Sequence, residues 1–273
     1  MHTTLTSKQF RTISTIAEQR WGLHLPEAKS TLVAGRMSKL ARRTGAGSID
    51  ELIARLNDTA TDEDMLEFFD ALATNTTSFF REKQHFDFLA RELYPTIERS
   101  GQRRIRIWSA ASSIGAEPYT LAVHMHEHIP DLASYDAKIL ATDLSSKAVT
   151  RSKEGAYTEK ELEGMPKALR FKYFDKTGDG RMSVKPMLRD MVSVHRLNLL
   201  DPWPMRGPFD AIFLRNVMIY FDAHVREKLV NRMAELLAPH GVLVIGSAET
   251  LAGLNTPYQT VQPAVYRPGG DTR

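Results

Sequence analysis

Polar side chains gather at the points where predicted β-strands end. The run Arg104–Ser109 leads into the loop S-A-A-S-S-I-G-A-E-P-Y at 109–119, and Lys138–Asp143 ends on a carboxylate. A third apolar run, Phe209–Arg215, ends on a cation and is followed by Asn216. Because ligands bind outside the carboxyl ends of the strands in open α/β sheets, these residues predict a ligand-binding site at that edge.

The loop at 109–119 favours a nucleoside ligand that lacks phosphates. Its small residues let the backbone approach a ligand closely, but the absence of G-x-G-x-x-G disfavours nicotinamide and flavin dinucleotides. Asp143 stands where an acid binds ribose hydroxyls in such folds. S-adenosylmethionine is the common ligand of this type. Taken alone, Asp143 is equally well interpreted as a helix cap before Ser145.

Two further segments concentrate hydrogen-bonding groups. The stretch N-T-T-S-F-F-R-E at 75–82 combines polar groups, two aromatic rings and a cation, although Thr77 or Ser78 is also a reasonable helix cap. The stretch R-N-V-M-I-Y-F at 215–221 places Arg215, Asn216 and Tyr220 after a strand, where polar groups usually serve a ligand.

Strands that alternate with helices after Gly101 predict a mostly parallel sheet, covered on both faces, in a Rossmann-like α/β domain. Helices are predicted from about Glu117 to His128, from near Ser145, and over Asp222–Ala238, the last stopped by Pro239 and Gly241. The predicted strands are Arg104–Ser109, Lys138–Asp143, Met191–Leu197, Phe209–Arg215 and Val242–Ile245, followed by a hairpin in Tyr258–Tyr266. A polar run over about 157–192 interrupts the alternation and is interpreted as a small β-subdomain insertion with a turn at Thr177–Gly180.

The first part of the chain is predicted to be helical. Thr6 or Ser7 caps one helix, Ser48 and Glu51 form a capping box before a second, and Asp62–Leu72 forms another. The predicted organisation is therefore a small all-α domain at 1–72 and an α/β domain at 73–273, with a linker at about 73–85.

Composition limits the class of protein. The chain has 273 residues, 42% of them hydrophobic, no cysteine and a net charge of +3. Disulfides, thiolate metal sites and a cysteine nucleophile are thereby excluded. With neither an apolar run of membrane-spanning length nor a secretory signal, the chain is expected to be cytoplasmic, without membrane insertion. The D-K-T-G-D-G turn and the H-M-H-E-H run are interpreted as structural, so no metal site is predicted.

Basic residues gather near the start of the chain. Residues 1–50 contain eight Lys or Arg against three Asp or Glu. Arg36, Lys39 and Arg43 are spaced to share a helix face, with Arg42 beside them. The pattern suits either docking on an acidic partner or a solvated helix face.

Taken together, the ordered motifs resemble one family, the CheR-type chemoreceptor glutamate O-methyltransferases. The resemblance rests on N-T-T-S-F-F-R-E, S-S-I-G-A-E-P-Y-T-L-A, A-T-D-L-S, N-L-L and F-D-A-I-F-L-R-N-V-M-I-Y-F-D, and it covers nearly the whole chain. It implies methylation of glutamate side chains on the cytoplasmic domain of methyl-accepting chemoreceptors, with S-adenosylmethionine converted to S-adenosylhomocysteine. It also implies a monomer that is recruited to receptor arrays.

The resemblance assigns site residues as follows. Asn75, Thr77 and Arg81 close over the cofactor, Glu117 reaches its amino-acid end, Asp143 holds the ribose, Asn198 and Leu199 flank the adenine, and Arg215 and Asn216 lie near the transfer site. Arg81, Arg215 and Tyr220 are the candidate catalytic residues. Arg36, Lys39, Arg42 and Arg43 are expected to steer the enzyme onto acidic receptor helices.

Three features depart from the family pattern. Ile114 replaces a hydroxyl residue and Ala116 replaces a glutamate, whereas Glu117 remains, so cofactor binding is expected to be retained. The turn at Asp175–Gly180 is compact, which predicts that no receptor C-terminal pentapeptide is needed as a tether. The alternatives are a non-catalytic cofactor-binding sensor and a methyltransferase acting on another substrate, although no basic groove favours nucleic acid.

Overall fold

The computed structural model describes residues 4–73 and 76–269, which divide into two compact units. The first unit contains the described residues before position 74 together with Tyr220–Val225. The second contains the described residues of 76–219 and those from Arg226 onward. The short segment 220–225 therefore belongs with the N-terminal helices, although it follows the first 219 residues in the chain.

Helices build the first unit. They are α1 (Ser7–Trp21), α2 (Ser30–Arg43), α3 (Ile49–Asp58) and α4 (Asp62–Leu72). In α1, Phe10, Ile13, Ala17 and Trp21 recur at helical spacing and are buried, and the Trp21 ring meets the Phe68 ring of α4 at 5.7 Å. This apolar stripe makes a core from otherwise polar helices.

Side-chain caps define where these helices start. Thr6 and Gln9 form a reciprocal capping box at α1. At α3, Ser48 accepts from the Glu51 amide at 3.1 Å, but the Glu51 carboxylate accepts from the Gly47 amide at 2.8 Å. The predicted capping box at Ser48 is thus half formed, because Glu51 reaches one residue further back.

The second unit is built on a seven-stranded sheet. Its strands are β1 (Arg104–Ser109), β2 (Asp136–Asp143), β6 (Val192–Arg196), β7 (Phe209–Leu214), β8 (Leu237–Ile245), β9 (Tyr258–Gln262) and β10 (Val265–Pro268). Their spatial order is β6-β2-β1-β7-β8-β10-β9. The first five are parallel to one another, while β10 pairs antiparallel with both β8 and β9, so that β9 and β10 form a hairpin at one edge. The predicted Rossmann-like sheet is confirmed.

Helices cover this sheet. They are α5 (Gln84–Phe88) and α6 (Tyr94–Arg99), joined by a π-helical stretch at Leu89–Leu93, then α7 (Ala116–His128), α8 (Ser146–Glu154), α9 (Lys167–Tyr173), α10 (Pro186–Arg189) and α11 (Ala223–Ala234). All six residues of β7 are buried, as in a central parallel strand covered on both faces. The main apolar core, to which β1, β2, β7 and β8 all contribute buried residues, therefore fixes the strand ends that carry the polar residues.

Helix α11 is shorter than predicted. It ends at Ala234, and Leu237 already pairs with Phe209 as the start of β8. A Cβ at Gly241 would lie 2.8 Å from the Phe209 carbonyl oxygen, so this strand passes too close to its neighbour for a side chain there. Pro239 and Gly241 thus mark an irregularity within a strand rather than the end of a helix.

A small three-stranded sheet interrupts the α/β alternation. It consists of β3 (Ala156–Tyr157), β4 (Phe174–Lys176) and β5 (Met182–Val184) in the order β3-β5-β4. The Thr177 amide donates to the Arg181 carbonyl at 2.9 Å, which closes the turn between β4 and β5. The predicted β-subdomain insertion is confirmed.

Within residues 4–73 and 76–269, no helix combines the length and the apolar character required to cross a bilayer.

Candidate active site

The carboxyl ends of the parallel strands bring the predicted polar residues to one edge of the sheet. Ser109 ends β1, Asp143 ends β2, and Arg215 and Asn216 follow β7 directly. Register pairs Ser109 with Phe213, one residue before the end of β7, so the ends of β1 and β7 lie side by side.

Glu117 lies in the first turn of α7 and points back to the sheet. Its Oε1 accepts from the Ser109 hydroxyl at 2.6 Å, and its Oε2 accepts from Arg215 Nη1 at 2.8 Å. The side chain is 11% exposed, which leaves a narrow opening. Burial raises the pKa of Glu117 above its usual value, although Arg215 and Ser109 act in the opposite direction. A cationic ligand group would favour the ionised form.

Arg215 joins two carboxylates. Its side chain is 3% exposed, its Nη1 contacts Glu117, and its Nη2 lies 3.2 Å from Glu82 Oε2. Nη2 also donates to the Arg81 carbonyl. Its Nε is buried without a hydrogen-bond partner among the described residues. This guanidinium is held inside the site and is not free to swing toward solvent.

Glu82 was not assigned a role from sequence, yet it is central to this cluster. Its carboxylate accepts from the Ser247 amide at 3.0 Å and from Asn216 Nδ2 at 3.4 Å, in addition to pairing with Arg215. Burial tends to raise the pKa of Glu82, but Arg215 and the Ser247 amide outweigh burial and lower it. A sequence signal for Glu82 existed, because it is the last residue of the segment at 75–82, which the sequence had already marked as rich in hydrogen-bonding groups.

A second carboxylate that sequence reasoning missed is Glu249. Its Oε2 accepts from the amides of Gly246 at 2.7 Å and Asn216 at 2.9 Å, and its Oε1 accepts from the Ile219 amide at 3.3 Å. Glu249 follows the carboxyl end of β8, and this position was the one sequence feature that could have indicated a role in the site. Asn216 has a φ of +58°, so Glu249 stabilises a left-handed turn after β7.

Asp143 is fixed by backbone amides. Its Oδ2 accepts from Ser113 at 2.8 Å and its Oδ1 from Ser145 at 2.9 Å. Helix α8 is capped by Ser145, which accepts from the Ala148 amide, so the interpretation of Asp143 as the cap residue is wrong. A carboxylate oxygen has the capacity to accept more than one hydrogen bond, so these amide contacts are compatible with binding of hydroxyl groups at Asp143.

Asn198 and Leu199 lie in the loop after β6. The Asn198 side chain bonds Asp201 Oδ1 at 3.1 Å and the Leu200 amide at 3.1 Å, whereas Leu199 is buried. The Leu199 carbonyl accepts from Trp203 Nε1 at 3.1 Å, which holds the loop against the sheet.

The segment before α5 holds the remaining predicted cofactor residues. Arg81 Nη1 donates to the Thr76 carbonyl at 3.2 Å, its side chain is 38% exposed, and Thr77 is half-buried. Asn75 lies outside the described residues. Arg81 is therefore a more available cation than Arg215.

Tyr220 is grouped with the first unit. Its carbonyl accepts from the His24 amide at 2.7 Å, and Lys29 Nζ lies 5.6 Å from the centre of its ring. The structure brings Arg81, Glu117 and Arg215 together in the second unit, while Tyr220 belongs to the N-terminal unit.

The predicted docking residues differ in their surroundings. Arg36 is half-buried and donates to the Leu72 carbonyl and, at 3.3 Å, to the Ala73 carbonyl, while Arg43 pairs with Glu67. Lys39 and Arg42 are exposed. Arg36 thus donates hydrogen bonds to carbonyl groups at the C-terminal end of α4. Lys39 and Arg42 are the more accessible charges of α2.

The two substituted loop residues are turned toward the core. Ala116 is 1% exposed and Ile114 packs against the apolar core. The Ile114 carbonyl accepts from the Tyr157 hydroxyl at 2.8 Å, which ties the loop to the small sheet. Both residues therefore support the loop on the side that faces the apolar core.

Comparison with known protein families matches most of the chain. The all-alpha domain of CheR methyltransferases matches residues 8–73, and their SAM-binding domain matches residues 75–267. The chain belongs to the CheR methyltransferase family. It is an S-adenosylmethionine-dependent methyltransferase by that membership.

Curated relatives extend over most of this CheR chain. A chemotaxis protein methyltransferase of Borreliella burgdorferi is 36% identical over 96% of this chain and 95% of its own length. A probable chemotaxis protein methyltransferase of Rhizobium etli is 39% identical over 85% and 88%. Chemotaxis protein methyltransferase 1 of Pseudomonas aeruginosa is 37% identical over 93% and 94%.

The donor set of this CheR site fits S-adenosylmethionine. That ligand carries an ammonium, a carboxylate, a sulfonium and two ribose hydroxyls. The Glu117 carboxylate has the charge that an ammonium requires, the Asp143 oxygens are acceptors of the kind that hydroxyls require, and the Arg81 guanidinium has the charge that a carboxylate requires. The acids Glu82, Glu117 and Asp143 outnumber the two arginines, which complements a ligand of net positive charge.

Proposed function

We propose that this CheR protein methylates glutamate side chains on the cytoplasmic domain of methyl-accepting chemoreceptors, to which it is recruited at membrane-bound arrays as a monomer. The observation that carries the proposal is the Glu117–Arg215–Glu82 cluster with Asp143, at the strand edge of a chain that matches the CheR domains throughout. The product would be a methyl ester, and the biological result would be adaptation in chemotaxis.

The reaction needs alignment rather than a base. A free glutamate has a pKa of about 4.3 and is already ionised at neutral pH. When bound, S-adenosylmethionine supplies an electrophilic methyl carbon next to a sulfonium. The carboxylate oxygen forms the new O–C bond as the C–S bond breaks, and S-adenosylhomocysteine leaves. The site contributes orientation and partial exclusion of water.

Each residue has a role in that alignment. We assign the ammonium to Glu117, the ribose hydroxyls to Asp143, and the adenine to Asn198 and Leu199. Arg215 favours the ionised form of Glu117 and holds its carboxylate in place, since Nη1 donates to Glu117 while Nη2 pairs with Glu82. Arg81, with Thr77, Asn75 and Asn216, completes the surroundings of the methionine part.

We assign Tyr220 a mild hydrogen bond to the incoming carboxylate, which would orient the nucleophile without blunting it as a cation would. Replacing Tyr220 by Phe should therefore reduce turnover of the receptor and leave cofactor affinity unchanged.

Docking is assigned to α2. Lys39 and Arg42 present exposed positive charge, which suits the acidic methylation regions of receptor helices. The turn between β4 and β5 is closed by the Thr177–Arg181 bond and is compact, so we propose that receptors lacking a C-terminal pentapeptide are substrates.

The proposal is tested by methyl transfer to receptors. The purified protein is mixed with methyl-labelled S-adenosylmethionine and chemoreceptor membranes, and label released by base as volatile methanol is counted. The expected result is base-labile label on the receptor, lost in Glu117→Gln and retained in the control Glu92→Gln, an exposed glutamate. Base-stable label would point to another substrate atom. Cofactor binding without transfer would instead support a sensor.

A further inference from the structure

Glu82 connects three segments that are far apart in the chain. It lies just before α5, yet it contacts Arg215 and Asn216 after β7 and the Ser247 amide after β8. Three contacts join Glu82 to these segments: the ion pair with Arg215, the hydrogen bond from Asn216 Nδ2 and the hydrogen bond from the Ser247 amide. No other described carboxylate in this cluster reaches both strand ends and the segment that precedes α5.

The backbone around Glu82 is held in an uncommon conformation. Glu82 has a φ of +58° and Phe80 a φ of +55°, a region that side chains other than glycine seldom adopt. Such backbone persists only where surrounding contacts over-determine it. Phe79 supplies part of that hold, because its ring packs at 5.0 Å on Tyr157. The Phe80 amide donates to the Thr120 hydroxyl at 3.2 Å, and the Glu82 carboxylate contributes at the other end of the segment.

The surroundings of Glu82 favour its ionised form and its ion pair with Arg215. Its side chain is 18% exposed. His85, fully buried with Nδ1 3.5 Å from Glu82 Oε2, has a pKa lowered to about 4 by burial and by Arg215, so it is neutral and does not compete as a cation. Arg215, at 3.2 Å, is therefore the nearer of the two arginines that pair with Glu82, since Arg81 Nε lies 3.9 Å from Glu82 Oε1.

We propose that Glu82 is a positioning residue that fastens the segment 76–82 onto the ends of β7 and β8. By doing so it places Arg81 over the cofactor site and keeps the Arg215 guanidinium aligned on Glu117. The inference rests on the proposed function, since it takes Arg81 to contact the methionine part of S-adenosylmethionine. Glu82 acts through these neighbours and does not touch the reacting atoms.

The test is a double-variant cycle measured by calorimetric titration with S-adenosylhomocysteine. Glu82→Gln keeps the length of the side chain but removes its charge, and we expect the Kd to rise about tenfold, the size of one lost charge-assisted hydrogen bond. Arg81→Ala should raise the Kd as well. In the Arg81→Ala background, Glu82→Gln should raise the Kd by a smaller factor than it does in the natural background, because one of the two arginines that Glu82 positions is gone.

Hydrogen exchange gives a readout that a general loss of stability would not imitate. In Glu82→Gln, the amides of residues 76–82 should exchange faster, while amides in the middle of β7 should exchange as in the natural protein. Glu92→Gln, the matched exposed variant, should change neither exchange nor Kd. If Glu82→Gln does not fold, Glu82→Asp, which keeps the charge but shortens the reach, takes its place in the same cycle.

The outcomes separate the two proposals. If the natural protein does not bind S-adenosylhomocysteine, the proposed function fails, whatever Glu82 does. If the natural protein binds and Glu82→Gln binds equally well, the positioning role is overturned. The positioning role is also overturned if the fold-increase in Kd of the double variant equals the product of the two single-variant increases. Glu82 would then act independently of the segment that it is proposed to fasten.

Discussion

Replacing Arg215 by Met should destabilise the second unit strongly. The substitution removes the cation between Glu117 and Glu82, whose carboxylate oxygens lie 2.8 Å and 3.2 Å from its Nη atoms. All three side chains are less than one-fifth exposed, so water cannot replace the lost partner well. Removing one partner of a buried ion pair costs about 3–5 kcal/mol.

The assay is calorimetric melting of the ligand-free protein. For a unit of this size each kcal/mol lowers Tm by about 2–4 °C, so Arg215→Met should lower it by at least about 6 °C. The double variant Arg215→Met/Glu117→Gln removes one of the stranded carboxylates. It should be more stable than the sum of the single changes by about 1–3 kcal/mol.

The control is Arg91→Met, which affects an exposed arginine 3.9 Å from Glu92. Exposed pairs contribute little, so its Tm should stay within about 2 °C of the natural protein. A fall in Tm no larger for Arg215→Met than for Arg91→Met would refute the reasoning. The reasoning would also be refuted if the losses of unfolding free energy in Arg215→Met and Glu117→Gln added up fully in the double variant. The cost of burying the Glu117 carboxylate would then not depend on Arg215.

Three further predictions concern the ligand, the partner and the small sheet. Because burial raises the pKa of Glu117, its carboxylate gains a proton at a higher pH than an exposed glutamate does. The affinity for S-adenosylmethionine should therefore fall on mild acidification. Binding titrations across a pH series should show this fall, and Glu117→Gln should make the affinity depend less on pH. Charge reversal at Lys39 and Arg42 should raise the KM for receptor about tenfold and leave the Kd for cofactor unchanged, with the salt dependence of the KM also reduced; an unchanged KM would remove α2 from the docking account. Gly164→Ala would place a Cβ 2.2 Å from the Phe79 carbonyl oxygen, so it should displace the segment at 76–82 and weaken cofactor binding, whereas Gly178→Ala, with open space around it, should not; equal affinities in the two variants would contradict this.

Local patterns were sufficient for most of the fold. The helix at Asp62–Leu72 and the strand Arg104–Ser109 are found as predicted, because hydrophobic period and capping residues act over a few positions. The end of α11 was predicted wrongly for the opposite reason. Only the pairing of Leu237 with Phe209 shows that the chain has already entered a strand.

The site divides in the same way. Glu117, Asp143, Arg215 and Asn216 were expected at one edge because the carboxyl ends of parallel strands must meet there. That Arg215 is shared by two carboxylates, and that Arg36 of α2 serves the end of α4, depends on which polar atoms come within reach after folding.

The sequence by itself determined the family motifs, the order of elements and the strand ends that carry the polar residues, because each follows from residues close together in the chain. Only the tertiary structure decided that Glu82 and Glu249 complete the cluster and that Tyr220 belongs with the N-terminal helices. A hydrogen bond between Glu82 and Ser247 spans 165 residues, and no periodicity or spacing records such a pairing. It exists because packing of the apolar core brings the two segments together, and buried polar groups then require partners.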